Sequence, residues 1–267
     1  MFFTHLVDNN IKTVIQTGDL FDRRKYINFQ ILQKVKADFF DTLKQLGITF
    51  HTYIGNHDTY FRNTLEVNST ALLLKEYDNV HVHTEPCTLN LFGVDVDIVP
   101  WICQDNEERI AKFIDNSKSK LCFGHFELSG FEMDVGNMCH DGMDRRTLDK
   151  YELVISGHFH HRSTDGHILY VGSPGEMTFS DVNDQRGFHT ICLKSNLIEF
   201  VKNPYKMFHR VRYDDKNEFT FEYLKTLDLN IYEGSYVKIL VVNKSNPHLF
   251  ELFMDSLYKV NPLDVTI

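Results

Sequence analysis

Four short apolar segments of this chain each end in a glycine that is followed by a residue able to bind a metal ion. The segments end in Thr17-Gly18-Asp19, Ile54-Gly55-Asn56-His57, Phe123-Gly124-His125 and Ser156-Gly157-His158-Phe159-His160. Carboxylate, amide and imidazole ligands together suit Mn, Fe or Zn better than calcium, and the lack of cysteine among them argues against a closed structural zinc site. The pattern therefore predicts a catalytic metal centre.

These side chains can meet if the apolar segments are strands of an open α/β sheet. In such sheets the ligand lies beyond the carboxyl ends of the strands, and a glycine there lets the backbone turn sharply, so that the next side chain points into the crevice. We therefore expect five side chains to share one pair of cations: Asp19, Asn56, His125, His158 and His160.

A pair of cations with these ligands is suited to the transfer or hydrolysis of a phosphate ester. Two metal ions about 3.5–4 Å apart can hold the attacking and the leaving oxygen of an in-line displacement, and the Asp19 carboxylate could bridge them. His57 follows Asn56 but points the other way along the backbone, so we expect it to donate a proton to the leaving oxygen. Asp22, three residues beyond Asp19, is expected to hold that imidazole.

The rest of the sequence predicts alternating strands and helices, which favours an α/β layered fold. Apolar residues recur every four positions from Ile27 to Leu43 and predict one long helix that ends at Gly47. Further helices are predicted at 2–7, 68–77, 105–114 and 248–260, and strands at 13–17, 48–54, 120–123, 153–156, 168–171, 188–193 and 236–242, with a hairpin at 89–99. A polar stretch at 202–215 predicts a boundary between domains 1–203 and 204–267.

Composition limits the classes of protein that the chain can belong to. At 267 residues, with 42% hydrophobic and 24% charged residues, it can bury a full core. A net charge of −9 argues against a protein that coats nucleic acid by bulk electrostatics. No apolar run approaches the roughly 18 residues that a membrane-spanning helix needs. The five cysteines form no C-x-x-C pair, so we expect free thiols and a cytoplasmic location.

The four motifs also carry a resemblance. Gly18-Asp19-Leu20-Phe21-Asp22, Gly55-Asn56-His57-Asp58, Gly124-His125 and Gly157-His158-Phe159-His160 resemble the successive blocks of the calcineurin-like metallophosphoesterases. Their wider context, with Pro100-Trp101 and Gly172-Ser173-Pro174, is similar to the SbcD-type nuclease subunits of double-strand-break repair and to their phage members in particular. The likeness covers about residues 1–200, and residues 204–267 resemble the start of the capping domain of that family.

The resemblance implies a metallophosphoesterase-type β-sandwich flanked by helices, followed by a small α/β capping domain. It implies that Asp19 bridges two divalent metal ions, that Asn56, His125 and His158 complete one site, and that His160 belongs to the other. His57 would be the catalytic histidine, and the metal would be Mn, with Mg or Fe as alternatives. The family acts on DNA as endonuclease and 3′-to-5′ exonuclease, as a homodimer bound to an SbcC-type ATPase subunit in the cytoplasm, which for a phage protein is that of the host.

One block of the family pattern is missing from the sequence. The family begins with a strand that ends in Asp-x-His, whereas His5 of this chain is preceded two residues earlier by Phe3. The expectation is therefore that the chain starts at an internal methionine or is a fragment, and that its second metal site keeps too few protein ligands. We therefore expect weak or absent nuclease activity for this sequence. Activity is expected once a strand that ends in Asp-x-His is added ahead of it.

Two other functions remain open at the level of sequence. A metal-dependent phosphomonoesterase or protein phosphatase would use the same ligands, and the pair Asp22-Arg23 resembles one found in that branch. A non-catalytic scaffold subunit would use none of them. Hydrolysis of phosphodiesters distinguishes the nuclease from the phosphatase, and binding of Mn²⁺ distinguishes both from the scaffold.

Overall fold

The computed structural model describes all residues from Met1 to Ile267, and these form two units. The first unit comprises Met1–Ser173 and Phe188–Val201, and the second comprises Pro174–Gly187 and Lys202–Ile267. The helices are α1 (Phe2–Asp8), α2 (Phe29–Val35), α3 (Asp41–Gln45), α4 (Ser69–Leu74), α5 (Glu107–Asn116), α6 (Phe221–Thr226) and α7 (Pro247–Lys259). No helix combines the length and the apolar character needed to cross a membrane.

The strands follow the helices in alternation through most of the first unit. They are β1 (Thr13–Gln16), β2 (Thr49–Tyr53), β3 (Val80–His83), β4 (Cys87–Leu91), β5 (Val94–Val99), β6 (Leu121–Gly124), β7 (Glu132–Asp134), β8 (Asn137–Met138), β9 (Leu153–Ser156), β10 (Ser163–Thr164), β11 (Ile168–Tyr170), β12 (Gly187–Cys192), β13 (Leu197–Lys202), β14 (Phe208–Asp214), β15 (Tyr236–Asn243) and β16 (Asp264–Thr266).

Two sheets form the centre of the first unit. One is the parallel sheet β1-β2-β3, and the other has the order β10-β11-β9-β6-β5-β4, with β11, β9, β6 and β5 parallel. Their facing side chains share one buried cluster, to which Ile15 and Tyr53 contribute from the first sheet and Ile98, Phe123 and Ile155 from the second. The alternating direction of side chains along a strand leaves a second apolar face on each sheet.

Helices cover both outer faces of this sandwich. The outer face of β1-β2-β3 packs against α1, α3 and α4, with Phe40, Leu43 and Phe50 fully buried between them. The outer face of the larger sheet packs against α5 through Ile110 and Ile114. The order of layers is helix, sheet, sheet, helix, so the predicted α/β layered β-sandwich flanked by helices is confirmed.

The long helix predicted between Ile27 and Leu46 is interrupted. It consists of α2, a π-helical turn at Lys36–Phe40 and α3, which follow one another directly along the chain. A repeat of four residues is longer than the 3.6 residues of an α-helical turn, and the wider π turn brings Phe39, Phe40 and Leu43 back onto the sheet. The first part of the predicted apolar stripe is wrong, because Ile31 is 58% exposed.

The second unit is a small α/β domain. Its parallel sheet β14-β15-β16 carries α6 and α7 on one face, and Tyr213, Ile239 and Phe253 are buried between sheet and helices. Strand β14 lies within the stretch that the sequence predicted to be a polar boundary. Arg210 and Arg212 are exposed on one face of that strand while Val211 packs with the core, which explains why its composition looked like that of a linker.

The division between the units differs from the predicted boundary at 203. The chain passes into the second unit at Lys202, but residues 174–187 also belong to it. The Glu176 carboxylate explains this, because its Oε2 accepts the backbone N–H groups of Met207 (2.7 Å) and Phe208 (2.9 Å) at the start of β14. Such a contact joins segments that are far apart in the sequence, so no local pattern of residues predicts it.

Three histidines lie together on the inner side of the smaller sheet, away from the predicted metal ligands. His51 and His81 are register partners on β2 and β3, and their rings stack at 5.0 Å. The His51 Nδ1 lies 3.1 Å from the His83 Nε2, and the Cys87 Sγ lies 3.3 Å from the His83 Nδ1. His51, His83 and Cys87 therefore form a chain of polar groups within hydrogen-bonding distance, while His81 is exposed at the edge of the sheet.

Acid is expected to destabilise the first unit through His51 and His83. Burial, together with the neighbouring imidazoles, lowers the pKa of each to about 4, whereas an imidazole in an unfolded chain titrates near 6.5. Below pH 6.5 the unfolded chain therefore binds more protons, so the stability present above that pH is lost progressively as the pH falls towards 4. The urea midpoint should be lower at pH 5 than at pH 7.5, and His51→Gln should reduce that difference.

The matched control is His140→Gln, which removes an exposed imidazole. It should keep the pH dependence of the wild type, measured by circular dichroism in urea. An equal loss of stability between pH 7.5 and pH 5 in His51→Gln and in the wild type would show that the cluster does not govern this dependence.

Candidate metal centre

The candidate site begins at the turn that follows β1. Gly18 has φ +84° and Asp19 has φ +55°, so two successive residues occupy the left-handed region. For a residue with a side chain this conformation costs about 1–2 kcal/mol, although aspartate tolerates it better than most. Gln16 holds the turn, because its Oε1 accepts the Gly18 N–H (3.1 Å) and its Nε2 donates to the Gly18 carbonyl (2.6 Å).

Asp58 joins this first turn to the turn that follows β2. Its buried carboxylate accepts the backbone N–H groups of Asp19 (2.9 Å), Phe21 (3.2 Å) and Gly55 (2.8 Å). Burial raises the pKa of Asp58, and the N–H of Gly55 opposes that rise. One carboxylate therefore fixes the relative positions of the two loops that carry Asp19 and Asn56.

His125 follows β6 and is almost fully buried. Its Nδ1–H donates to the Thr17 carbonyl (2.8 Å), which leaves the lone pair of a neutral ring on Nε2. The Nε2 lies 3.2 Å from the Asp19 Oδ2 and 3.0 Å from the Asn56 Oδ1. A Cβ at Gly18 would lie closer than 3.0 Å to this ring, so only glycine allows it to reach its position.

His158 follows β9 and completes the group. It has φ +63°, and its Nδ1 lies 3.0 Å from the Asn56 Oδ1 and 3.2 Å from the His125 Nε2. Its ring stacks on Trp101, with ring centres 5.2 Å apart and planes at 28°. The stacking and the left-handed backbone together direct the Nδ1 towards the other three side chains.

Four donor atoms from four turns thus surround one point. Asp19, His125 and His158 each offer a ligand atom within 4.8 Å of the others, and the Asn56 Oδ1 lies among them. Neighbouring ligands of an octahedral ion with bonds of about 2.1 Å lie about 3.0 Å apart, close to the separations of 3.0–3.2 Å measured between these atoms. Their mixed oxygen and nitrogen chemistry fits a divalent transition metal.

The electrostatics of the group favour a cation. Burial tends to raise the pKa of Asp19, but the His125 imidazole outweighs it, so that this pKa is lowered. Burial opposes a charge on His125, and the Asp19 carboxylate nevertheless raises the pKa of that imidazole. Burial lowers the pKa of His158 to about 3, and the nearby His125 contributes, so His158 is neutral at pH 7. Because metal ligands bind without their protons, a divalent ion would replace the proton that Asp19 stabilises on His125.

His57 lies beside the group and faces outward. Its backbone N–H donates to the Asp19 Oδ1 (2.7 Å), and its ring Nδ1 lies 2.9 Å from the backbone carbonyl of Asp22. The predicted contact with the Asp22 carboxylate is wrong in this detail. The carboxylate is exposed and pairs with the Arg23 Nε (3.0 Å).

His160 is the predicted ligand that the structure does not bring into the group. Its side chain is exposed, while its backbone carbonyl accepts the N–H of Ser173 (3.0 Å). After burial and His125, the His160 imidazole also contributes to the lowered pKa of His158. Asp19, Asn56, His125 and His158 therefore form one compact set, with His57 and His160 beside it.

Three residues at the site carry little signal in the sequence. The sequence leaves Asp58 open between capping a turn and acting in the site, and it favours packing for Trp101. Asp58 could have been found as an acidic residue inside the turn after β2, and Trp101 as the single tryptophan of the chain. The Glu127 Oε2 lies 3.8 Å from the His158 Nε2. No sequence pattern indicates this contact, because the two residues are 31 positions apart in the chain.

Comparisons with known proteins show which family and which proteins the chain is similar to. The model of the family described as calcineurin-like phosphoesterase matches residues 1–162, which include every residue of the candidate site. Exonuclease subunit 1 of enterobacteria phage T4 is 33% identical over 259 residues, covering 97% of this chain and 75% of that protein. The SbcD subunit of the SbcCD nuclease of Staphylococcus epidermidis is 27% identical over 160 residues, covering 54% and 37%. A solved archaeal phosphodiesterase aligns with a TM-score of 0.38 at 14% identity, covering 75% of this chain and 88% of that one.

Gly55→Ala tests whether the close approach of two turns creates the site. The added Cβ would lie closer than 3.0 Å to the backbone nitrogen and carboxylate of Asp19, so Asp19 must move. We expect Mn²⁺ binding to weaken by about tenfold or more, and the free energy of unfolding to fall by about 1–3 kcal/mol. Calorimetric titration and urea unfolding measure the two effects.

Gly175→Ala is the control, because its Cβ would meet only the Asn203 Nδ2 at 3.7 Å. It should bind Mn²⁺ like the wild type. If Gly55→Ala also kept wild-type affinity, the contact between the two turns would not be what positions Asp19.

Proposed function

The chain belongs to the calcineurin-like phosphoesterase family, as its four motifs predicted, and we propose that it is a two-metal phosphodiesterase that cleaves DNA. The observation that carries the proposal is the convergence of oxygen and nitrogen donors from Asp19, Asn56, His125 and His158 at the carboxyl ends of β1, β2, β6 and β9. DNA as the substrate is supported by the two similar proteins, which are named as an exonuclease subunit and a nuclease subunit.

The site would hold two divalent ions. Asn56, His125 and His158 would bind one of them together with Asp19, and Asp19 and His160 would contribute to the second. The ions would supply a water of lowered pKa and neutralise charge on the phosphate. We propose Mn²⁺ as the working metal, because neutral imidazoles and an amide oxygen leave the cation most of its charge, and Mg²⁺ or Fe²⁺ as alternatives.

His57 would act on the leaving oxygen. Its Nδ1–H donates to the Asp22 carbonyl, so when the ring carries a second proton, that proton is on Nε2 and would be the one delivered to the leaving oxygen. Its backbone N–H contacts the Asp19 carboxylate, so the ring is held at a fixed offset from the metal ligands. The chain's own residues thus bind the cations, orient the ligands and place one proton donor beside them.

The same proposal extends to partners and location. The similar proteins are named as subunits, so we propose that this chain acts as a homodimer with an SbcC-type ATPase subunit. The net charge of −9 supports a partner that helps to hold the DNA. A cytoplasmic location follows from the substrate, since bacterial and phage DNA is replicated and repaired there.

His57→Gln and His125→Ala separate catalysis from metal binding. In a version of the chain preceded by an Asp-x-His strand, His57→Gln should slow cleavage of linear duplex DNA in Mn²⁺ by about 100-fold to 10,000-fold, the usual contribution of a general acid, and keep Mn²⁺ affinity. His125→Ala should lose both, because it removes a ligand. Gel assays of DNA and calorimetric titration with Mn²⁺ provide the two measurements.

The substrate class is tested in parallel by measuring the hydrolysis of two nitrophenyl phosphates, a bis-ester and a monoester. Release of nitrophenol from the bis-ester together with cleavage of DNA supports the proposal, whereas hydrolysis of the monoester alone would indicate a phosphatase. Wild-type protein that binds no Mn²⁺ would indicate a scaffold. DNA left intact both by this chain and by a version with an Asp-x-His strand ahead of Met1 would contradict the nuclease proposal.

A further inference from the structure

Glu127 lies on the far side of His158 from the other metal ligands. We propose that Glu127 is a positioning residue, which holds the proton of the His158 imidazole on Nε2 and so keeps the Nδ1 lone pair directed at the cation. This inference rests on the proposed function, because it assigns a role to Glu127 only if His158 binds a metal ion. Glu127 itself lies outside the four ligands and outside the reacting groups.

The first step is the geometry of the His158 ring. Its Nδ1 faces the Asn56 Oδ1 (3.0 Å) and the His125 Nε2 (3.2 Å), while its Nε2 faces the Glu127 Oε2 (3.8 Å). The two nitrogens of one imidazole thus face different partners. A neutral imidazole has one N–H, so only one of those partners can accept it.

The second step is the competition for that proton. If the proton were on Nδ1, it would be donated to the amide oxygen of Asn56, and Nδ1 would have no lone pair for a metal. A proton on Nε2 is directed at a carboxylate, which is the stronger acceptor because it is charged. Ligand histidines commonly donate their second N–H to a carboxylate in this way, which fixes the tautomer and the orientation of the ring.

The third step is the support of Glu127. Its carbonyl accepts the N–H of Met143 (2.7 Å), and the fully buried Tyr170 hydroxyl accepts the N–H of Leu128 (3.1 Å) and donates to the Phe126 carbonyl (3.0 Å). The backbone on both sides of Glu127 is therefore fixed by partners distant in sequence. The side chain alone must shift by about 1 Å to close 3.8 Å to a charge-assisted hydrogen bond of about 2.8 Å.

The test compares Glu127→Ala and Glu127→Gln with the wild type. The Glu127 side chain is 44% exposed, so neither change should unfold the protein, which circular dichroism checks. Glu132→Gln is the matched control, because it removes a carboxylate 3.5 Å from the neighbouring His161. Mn²⁺ affinity by calorimetry should fall about 10-fold to 100-fold in Glu127→Ala, fall less in Glu127→Gln, whose amide oxygen still accepts, and stay unchanged in Glu132→Gln.

A second readout needs neither metal nor activity. Nitrogen NMR of ¹⁵N-histidine-labelled, metal-free protein reports which ring nitrogen of His158 carries the proton. We expect Nε2 in the wild type and in Glu132→Gln, and Nδ1 in Glu127→Ala, where Asn56 is the remaining acceptor. The same tautomer in wild type and Glu127→Ala, or an unchanged Mn²⁺ affinity, would overturn the inference. Wild-type protein that binds no Mn²⁺ would defeat the proposed function and with it this role of Glu127, even if the proton moved as expected.

Discussion

The site depends on the close approach of backbone turns that leave two different sheets. The turns after β1, β2 and β9 meet at distances that leave no room for a Cβ at Gly18, Gly55 or Gly157. Only Gly18 among these three has a positive φ, so the other two are required for contact and not for their own backbone angles. Contact at this distance brings side chains from separate strands to one cation, which a looser packing of the same elements could not do.

Hydrogen bonds to the backbone then fix the ligands within that frame. Asp58 ties the first two turns together, and the Thr17 carbonyl fixes the proton of His125 on the ring nitrogen that faces away from the other donors. The first set of bonds fixes the positions of the loops that carry Asp19 and Asn56, and the second leaves the lone pair of the His125 Nε2 directed at the other donors. The ligand group is therefore arranged by the protein before any ion binds, which reduces the reorganisation that binding requires.

Local patterns predicted much of this arrangement. An apolar run, a glycine and a polar residue are adjacent in sequence, so the strand ends and the residue types of the site could be read directly. The helix from Asn28 to Leu46 could also be predicted, but its π turn could not, because it depends on the fit of Phe39 and Phe40 against the sheet. The Asp22 prediction was wrong because it assumed a side-chain contact where the backbone carbonyl makes it.

The sequence by itself determined the family, the α/β alternation and the chemical types of the ligands, because each of these is a property of residues close together along the chain. Only the tertiary structure decided which of the predicted ligands meet, that Asp58, Trp101 and Glu127 support them, and that residues 174–187 belong to the second unit. Those facts are distances between segments tens of residues apart. They are set by packing and by hydrogen bonds across the fold, which no local pattern encodes.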